Sequence, residues 1–393
     1  MTEKAVVLGA NYYIGLSVIR CLGRQGVHVT AVDYRPRRAY AFSSRYCREK
    51  LVAPDYKTEP RAFVDFLLDY GHRQEQPPVL MPTADPYAQL IDANLNALKQ
   101  VYLIPTRQQD YLSQIIDKAS LQSLCQKHGV HIPEEYEPND LDAVEYPCLV
   151  KPADSHAFVR AFRVKMFMVK DRAELDRALE RARAHNLPVV IQRIIPGFDD
   201  HVCTYDAYLD QRGKVSHWTT CQKLRQYPIN FGASVYTRHK VIPELHEIGS
   251  KFLEAIGYRG FAEIEFKYDP GRKRWYLIEI NVRFSSLNVL LNRVGLNFPW
   301  IMYRDLTGEP LPPKAITEST NIRFRYLLED VYAMRDYLRQ GQLNAWQLLK
   351  SEFARKAPAV WDWGDPLPAF TWTKLTTGNI TGKLRRRIVK NGD

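Results

Sequence analysis

The chain has 393 residues, 45% hydrophobic and 12% aromatic, enough to bury a large core in two or three domains, which excludes a disordered or fibrous protein. Its 55 Lys and Arg against 44 Asp and Glu give a net charge of +11, which favours anionic partners (nucleotides, acidic cell-wall precursors, membrane surfaces or RNA) without choosing among them. The opening MTEKAVVLG has no apolar signal-peptide core, no run is long enough to span a bilayer, and the cysteines at 21, 47, 125, 148, 203 and 221 form no CxxC pair; a cytoplasmic protein with reduced thiols is expected.

Residues 6–33, VVLGANYYIGLSVIRCLGRQGVHVTAVD, read as strand, turn, helix and second strand, with Ile14, Val18 and Leu22 on one helical stripe. A dinucleotide fingerprint needs a glycine two residues after the first, but Asn11 stands there and Gly15 arrives one place late, so a Rossmann-like parallel sheet without NAD is predicted. VLMPT and VYLIPT, at 79–83 and 101–106, read as further short buried strands, closing an N-terminal domain over 1–112. A small α+β subdomain follows over 113–195: the helix DKASLQSLCQKHG, the strand YPCLVKPA, a strand-like FRVKMFMV, the helix DRAELDRALERARAHN and the strand PVVIQRIIPG. A larger, mainly antiparallel subdomain is predicted over 196–312. The remainder, 313–393, reads as one or two helices over 331–354, a Pro- and Trp-rich loop over 357–372, and a basic tail whose simplest role is a solvated terminus.

Chemistry concentrates in the hairpin 260–283. Residues two apart in a strand share a face, so Glu263 and Glu265 point one way while Ala262, Ile264 and Phe266 point to a core; on the return strand Glu279 and Asn281 share a face, with Ile278 and Ile280 opposite. A five-residue loop, Pro270 to Arg274, would place Asp269 opposite Trp275 and Glu265 opposite Glu279. Two carboxylates and an amide oxygen suit Mg²⁺, which takes one or two carboxylates and leaves its other positions to water and phosphates. Glu263 alone fits a surface acid equally well. Lys151 at the end of an apolar strand and Lys118 at the start of a helix are each commonly surface residues, but together they could clamp a polyphosphate. No Ser-His-Asp or Cys-His arrangement competes with this reading.

DK at 117–118, LVKP at 149–152, VVIQRIIPG at 189–197 and EIEF with LIEINVR at 264–283 fall in the order found in the ATP-grasp superfamily, which the chain resembles over roughly 1–310. The resemblance implies that Lys118 and Lys151 contact ATP phosphates, that the backbone of Gln192, Arg193, Ile194 and Ile195 lies against adenine, and that Asp199 meets the ribose. It also implies that Glu265, Glu279 and Asn281 hold Mg²⁺ (or Mn²⁺), and that Arg283, with Lys151 and Lys165, serves the transferred phosphoryl group. Two departures stand out: no glycine precedes Lys165 in ADSHAFVRAFRVKMF, where many members have a glycine-rich lid, and Arg193 occupies a position that is commonly acidic. This variant lid, QKLRQYP at 222–228 and FGAS at 231–234 are similar to the D-aspartate ligase branch, which implies amide formation through an acyl phosphate, joining D-aspartate to a lysine amine of a peptidoglycan precursor. Lys223 and Arg225, on one strand face, are candidates for a substrate carboxylate, with a solvated strand edge as the equal alternative. Other expectations stay open: a ligase for another amino acid or metabolite, an ATP-binding protein without catalysis, or a binder of anionic surfaces or nucleic acid through the basic tail, which no RNA-binding module in the sequence strengthens.

Overall fold

The computed structural model describes residues 4–137, 140–152, 155–164 and 166–377, so Lys165 and most of the basic tail lie outside the described residues. The N-terminal strands β1 (Lys4–Leu8), β2 (His28–Asp33), β3 (Cys47–Val52) and β4 (Val79–Pro82) form a parallel sheet in the order β3-β2-β1-β4. Its first turn explains the glycine spacing. A Cβ at Gly15 would lie 1.7 Å from the Gly9 carbonyl oxygen, so the helix Tyr13–Gly23 can pack onto the turn only through a glycine. Asp33, which a dinucleotide fold would offer to a ribose, accepts the Ala10 N–H at 2.7 Å and the Arg35 N–H at 2.8 Å and so ties the loop.

The small subdomain holds β5 (Glu135–Tyr136), β6 (Cys148–Pro152), β7 (Phe167–Val169) and β8 (Val189–Arg193), an antiparallel sheet in the order β5-β8-β6-β7, backed by the helix Arg172–Ala184. The large sheet comprises β9 (Val202–Leu209), β10 (Val215–Tyr227), β11 (Ala233–His239), β12 (Gly260–Asp269), β13 (Arg274–Asn281), β14 (Lys314–Ala315), β15 (Ile322–Arg325) and β16 (Arg355–Pro358). They run β13-β12-β9-β10-β11-β15-β16, with β14 beside β10. Alternation along β12 delivers Ala262, Ile264 and Phe266 to a core shared with Tyr205, Phe252 and Leu253, the last two from the helix Pro243–Ala255.

Three expectations are corrected. VYLIPT makes only an isolated bridge, Val79 to Leu103, because Val101 and Tyr102 still belong to the turn that follows the preceding helix and Pro105 comes two residues after the bridge. FRVKMFMV is strand only over Phe167–Val169; the segment before it is a helix, Ser155–Phe162, whose Phe158 and Phe162 pack on Phe167. The Pro- and Trp-rich stretch opens with β16, and its end enters a helix over 367–377. Between them Asp365, buried, receives Arg20 Nε at 2.9 Å, Ser44 Oγ at 2.7 Å and the Arg45 N–H at 3.0 Å. The described residues past 313, up to 377, are therefore an integral part of the body, closing the large sheet and capping the N-terminal domain.

Candidate active site

The hairpin β12–β13 does set Glu265 opposite Glu279, with Glu263 opposite Asn281, but by a different route from the one the sequence suggests. The turn is one residue shorter, with Asp269 opposite Arg274, and a bulge between the Glu265 and Phe266 pairs restores the register. The bulge also moves Ile278 out of the core into the cleft and gives its inward place to Leu277. Glu263 is not a surface acid. It is 4% exposed, accepts Asn281 Nδ2 at 3.0 Å through Oε1, and has Oε2 buried without a hydrogen bond. Asp206, its cross-strand neighbour on β9, is wholly buried, and burial followed by the charge of Glu263 pushes its carboxyl well above the usual range.

Glu279 faces the cleft, and there the charge of Glu265 and then burial raise its carboxyl to about 7, against the opposing pull of Lys223 and Arg283. Lys223 Nζ lies 2.6 Å from Glu265 Oε2; burial would lower this lysine, but Glu265 and its neighbours outweigh it and raise it. Asn281 turns its amide nitrogen to Glu263 and Glu279, which leaves Oδ1 as the atom to meet a cation. Among the described residues no three His, Cys, Asp or Glu side chains are arranged to hold a metal by themselves. Two repelling carboxylates beside an amide oxygen do fit a hard cation that takes its remaining ligands from phosphate and water.

These groups line a cleft of about 430 Å³ between the small and large subdomains. Across it stand Lys118, exposed at the first turn of the helix Lys118–Lys127, and Lys151, the penultimate residue of β6. Burial, then the charge of Lys118, lowers Lys151 to about 8, and its ammonium donates to Gln192 Oε1. Gln192, Ile194 and Ile195 line the same wall. Lys267, on the Glu265 face of β12, lines it too and is lowered by burial, against the pull of Asp199 and Asp200; simple alternation from Glu263 and Glu265 would have found it.

Other predicted residues are placed differently. The side chain of Arg193 turns from the cleft into a clamp: Nη2 to Asp269 at 2.8 Å, Nε to Glu145 at 2.8 Å, and Nη1 to Glu134 at 3.4 Å. This explains a cation at a commonly acidic position, since Arg193 fastens the small sheet to the turn of the hairpin. Arg283 pairs with Asp85 at 3.0 Å, at the start of the helix Asp85–Ala93 in the N-terminal domain. Asp199 is buried beyond the cleft, where it accepts the Tyr337 hydroxyl and, at 3.2 Å, the Asn230 N–H. Lys223 and Arg225 do not act as one face, because a bulge in the β10–β11 pairing between them breaks the alternation. Arg225 is drawn instead to Asp330, at 2.6 and 2.9 Å, and stacks over Tyr236.

Residues 117–296 match the family model of the carbamoyl-phosphate synthase L chain, ATP binding domain, and this span holds both lysines and the whole carboxylate hairpin. The matched span, a little under half of the chain, carries the ATP-grasp ATP-binding domain. It is 24% identical over 290 residues to the D-aspartate ligase of Enterococcus faecium, covering 68% of each chain. The ATP-grasp fold is shared with the biotin carboxylase domain of Hydrogenobacter thermophilus 2-oxoglutarate carboxylase, solved with MgADP, ADP and bicarbonate (TM-score 0.62, 18% identity, 82% of this chain and 74% of that one). An L-amino acid ligase from Bacillus licheniformis also superposes on it, with TM-score 0.57 and 17% identity over 79% and 78% of the two chains.

Proposed function

We propose that this ATP-grasp enzyme joins a carboxylate to an amine through an acyl phosphate, with D-aspartate as the carboxylate and a lysine amine of a peptidoglycan precursor as acceptor. The observation that carries the ligase reading is the Glu265–Glu279 pair, left in mutual repulsion on the cleft wall opposite Lys118 and Lys151. The similarity to D-aspartate ligase supports the choice of substrate, and the net charge of +11 suits an anionic precursor.

In this reading Glu265, Glu279 and Asn281 hold Mg²⁺, or Mn²⁺ in its place, which when bound neutralises phosphate oxygens as they gain charge. Lys118 and Lys151 hold the phosphates from the facing wall, and the backbone from Gln192 to Ile195 lies against adenine. Asp199 reaches the ribose by exchanging its Tyr337 contact. Arg283, oriented by Asp85, stabilises the phosphoryl group in transfer, and Lys165 assists. A substrate-carboxylate role for Lys223 or Arg225 requires each to leave its present partner. We place the enzyme in the cytoplasm with the tail against the membrane surface; among the described residues no helix is long and apolar enough to cross a membrane.

The test is ADP release with MgATP and a panel of D- and L-amino acids, with and without the precursor. Turnover that requires D-aspartate and the precursor is the expected result. Turnover with another pair keeps the ligase and replaces its substrates, whereas nucleotide binding with no turnover across the panel would overturn the catalytic reading.

A further inference from the structure

A second cavity, of about 470 Å³, lies outside the ATP cleft, between the large sheet and the helices Leu327–Arg339 and Ala345–Glu352. Its volume is within the range of small-molecule sites. Phe198, Leu224, Leu343 and the rings of Tyr236 and Tyr337 give it an apolar body. Its polar equipment is uneven. Arg225 and Arg323 both approach the Tyr236 ring, at 3.9 and 5.8 Å, but only Arg225 has a carboxylate partner, Asp330.

Arg323 Nε is buried and makes no hydrogen bond, and among the described residues no carboxylate pairs with this guanidinium. Gln342 Oε1, in the same lining, is likewise buried without a partner. Lys350 adds an exposed ammonium at the rim, while Asp199 and Asp200 stand elsewhere in the wall. Arg323 is half-buried as a residue, but a buried Nε–H with no acceptor costs free energy unless one arrives, and the two aspartates turn away polyanions such as a triphosphate.

We propose that this cavity is a second ligand site, separate from the nucleotide cleft, that takes a small molecule with one carboxylate or phosphate on Arg323 and an apolar or aromatic body against Tyr236, Tyr337 and Leu343. The inference does not depend on which amine and carboxylate the enzyme joins. It gives Asp199 a double position: its side chain lines this cavity and accepts Tyr337, itself part of the wall.

The probes are phenyl phosphate and benzoate, titrated by calorimetry into the full chain saturated with MgADP, so that anion binding in the cleft is already satisfied. One saturable event in the millimolar range or tighter is expected, weakened about tenfold in Arg323→Gln and measurably in Lys350→Glu. Lys350 is exposed, so its variant keeps the test valid if Arg323→Gln fails to fold. Binding of phenyl phosphate alone would identify phosphate as the recognised group, and binding of both would extend it to carboxylates. No saturable event with either probe, or equal affinity in wild type, Arg323→Gln and Lys350→Glu, would overturn the proposal.

Discussion

The two ends of the hairpin β12–β13 carry acids to opposite fates. At the turn, Asp269 meets Arg193, and Arg272 joins Glu134 and Glu145, the latter at 2.7 Å. Against burial, the bond from Arg193 and the Arg272 and Gly271 N–H groups hold the Asp269 carboxyl below the usual range. At the other end Glu265, Glu279 and Glu263 crowd together with Lys223 as the cation in contact, and Glu279 is pushed up to about 7. The same pair of strands thus neutralises charge where it fastens two subdomains and leaves carboxylates in mutual repulsion at the end where, in the proposed function, a cation and phosphate bind. Fold and function are separated along 20 Å or so of one ribbon, by the rise of about 3.3 Å per residue.

Substitutions at the two ends should break this contrast in opposite ways. Glu279→Gln is expected to lower kcat/KM for ATP turnover by on the order of a hundredfold with the thermal midpoint unchanged or higher, since it removes repulsion; steady-state kinetics and calorimetric melting check both. Asp269→Asn should do the reverse, costing about 3 kcal/mol by removing the one fully buried carboxylate of the Arg193 clamp and leaving only the more exposed Glu134 and Glu145, read from urea unfolding, while the folded enzyme keeps its dependence on Mg²⁺. Lys151 sharpens the comparison through pH. With its ammonium lowered to about 8, nucleotide affinity should fall several-fold as pH rises through 8, because the cation that meets the phosphates is lost; titrations from neutral to alkaline pH test this, and Lys151→Met should abolish the pH step. The same shift costs stability below pH 8, a cost that fades as pH climbs toward the ordinary value of 10.5. The smallest effect belongs to Arg172→Ala, whose exposed pairs with Asp142 and Asp176 should change stability by less than about 0.5 kcal/mol.

Much of this was readable in one dimension. Period-2 alternation put Glu263 and Glu265, and Glu279 and Asn281, each on one face; the pairing of Glu265 with Glu279 came out right although the turn it was read from is one residue shorter; and apolar periodicity found the helices Tyr13–Gly23, Lys118–Lys127 and Arg172–Ala184. The bulge that exposes Ile278 was not readable, because a shorter turn and one extra residue leave the pairing of the acids unchanged. Arg193 looked like an anomaly because its partner lies 76 residues away in the chain. Asp206 and the second cavity escaped for the same reason. They depend on β9 lying beside β12, and on the C-terminal helices folding back over β10 and β11, and neither neighbour leaves a local pattern.

The central claim is that the unneutralised end of the hairpin exists to hold a divalent cation against a nucleotide. Calorimetric binding of ADP with and without Mg²⁺, in wild type, Glu265→Gln and Glu279→Gln, tests it most directly. The account predicts that Mg²⁺ tightens ADP binding in the wild type and that this enhancement is lost in both variants while metal-free binding persists. An undiminished Mg²⁺ enhancement in Glu279→Gln would contradict it.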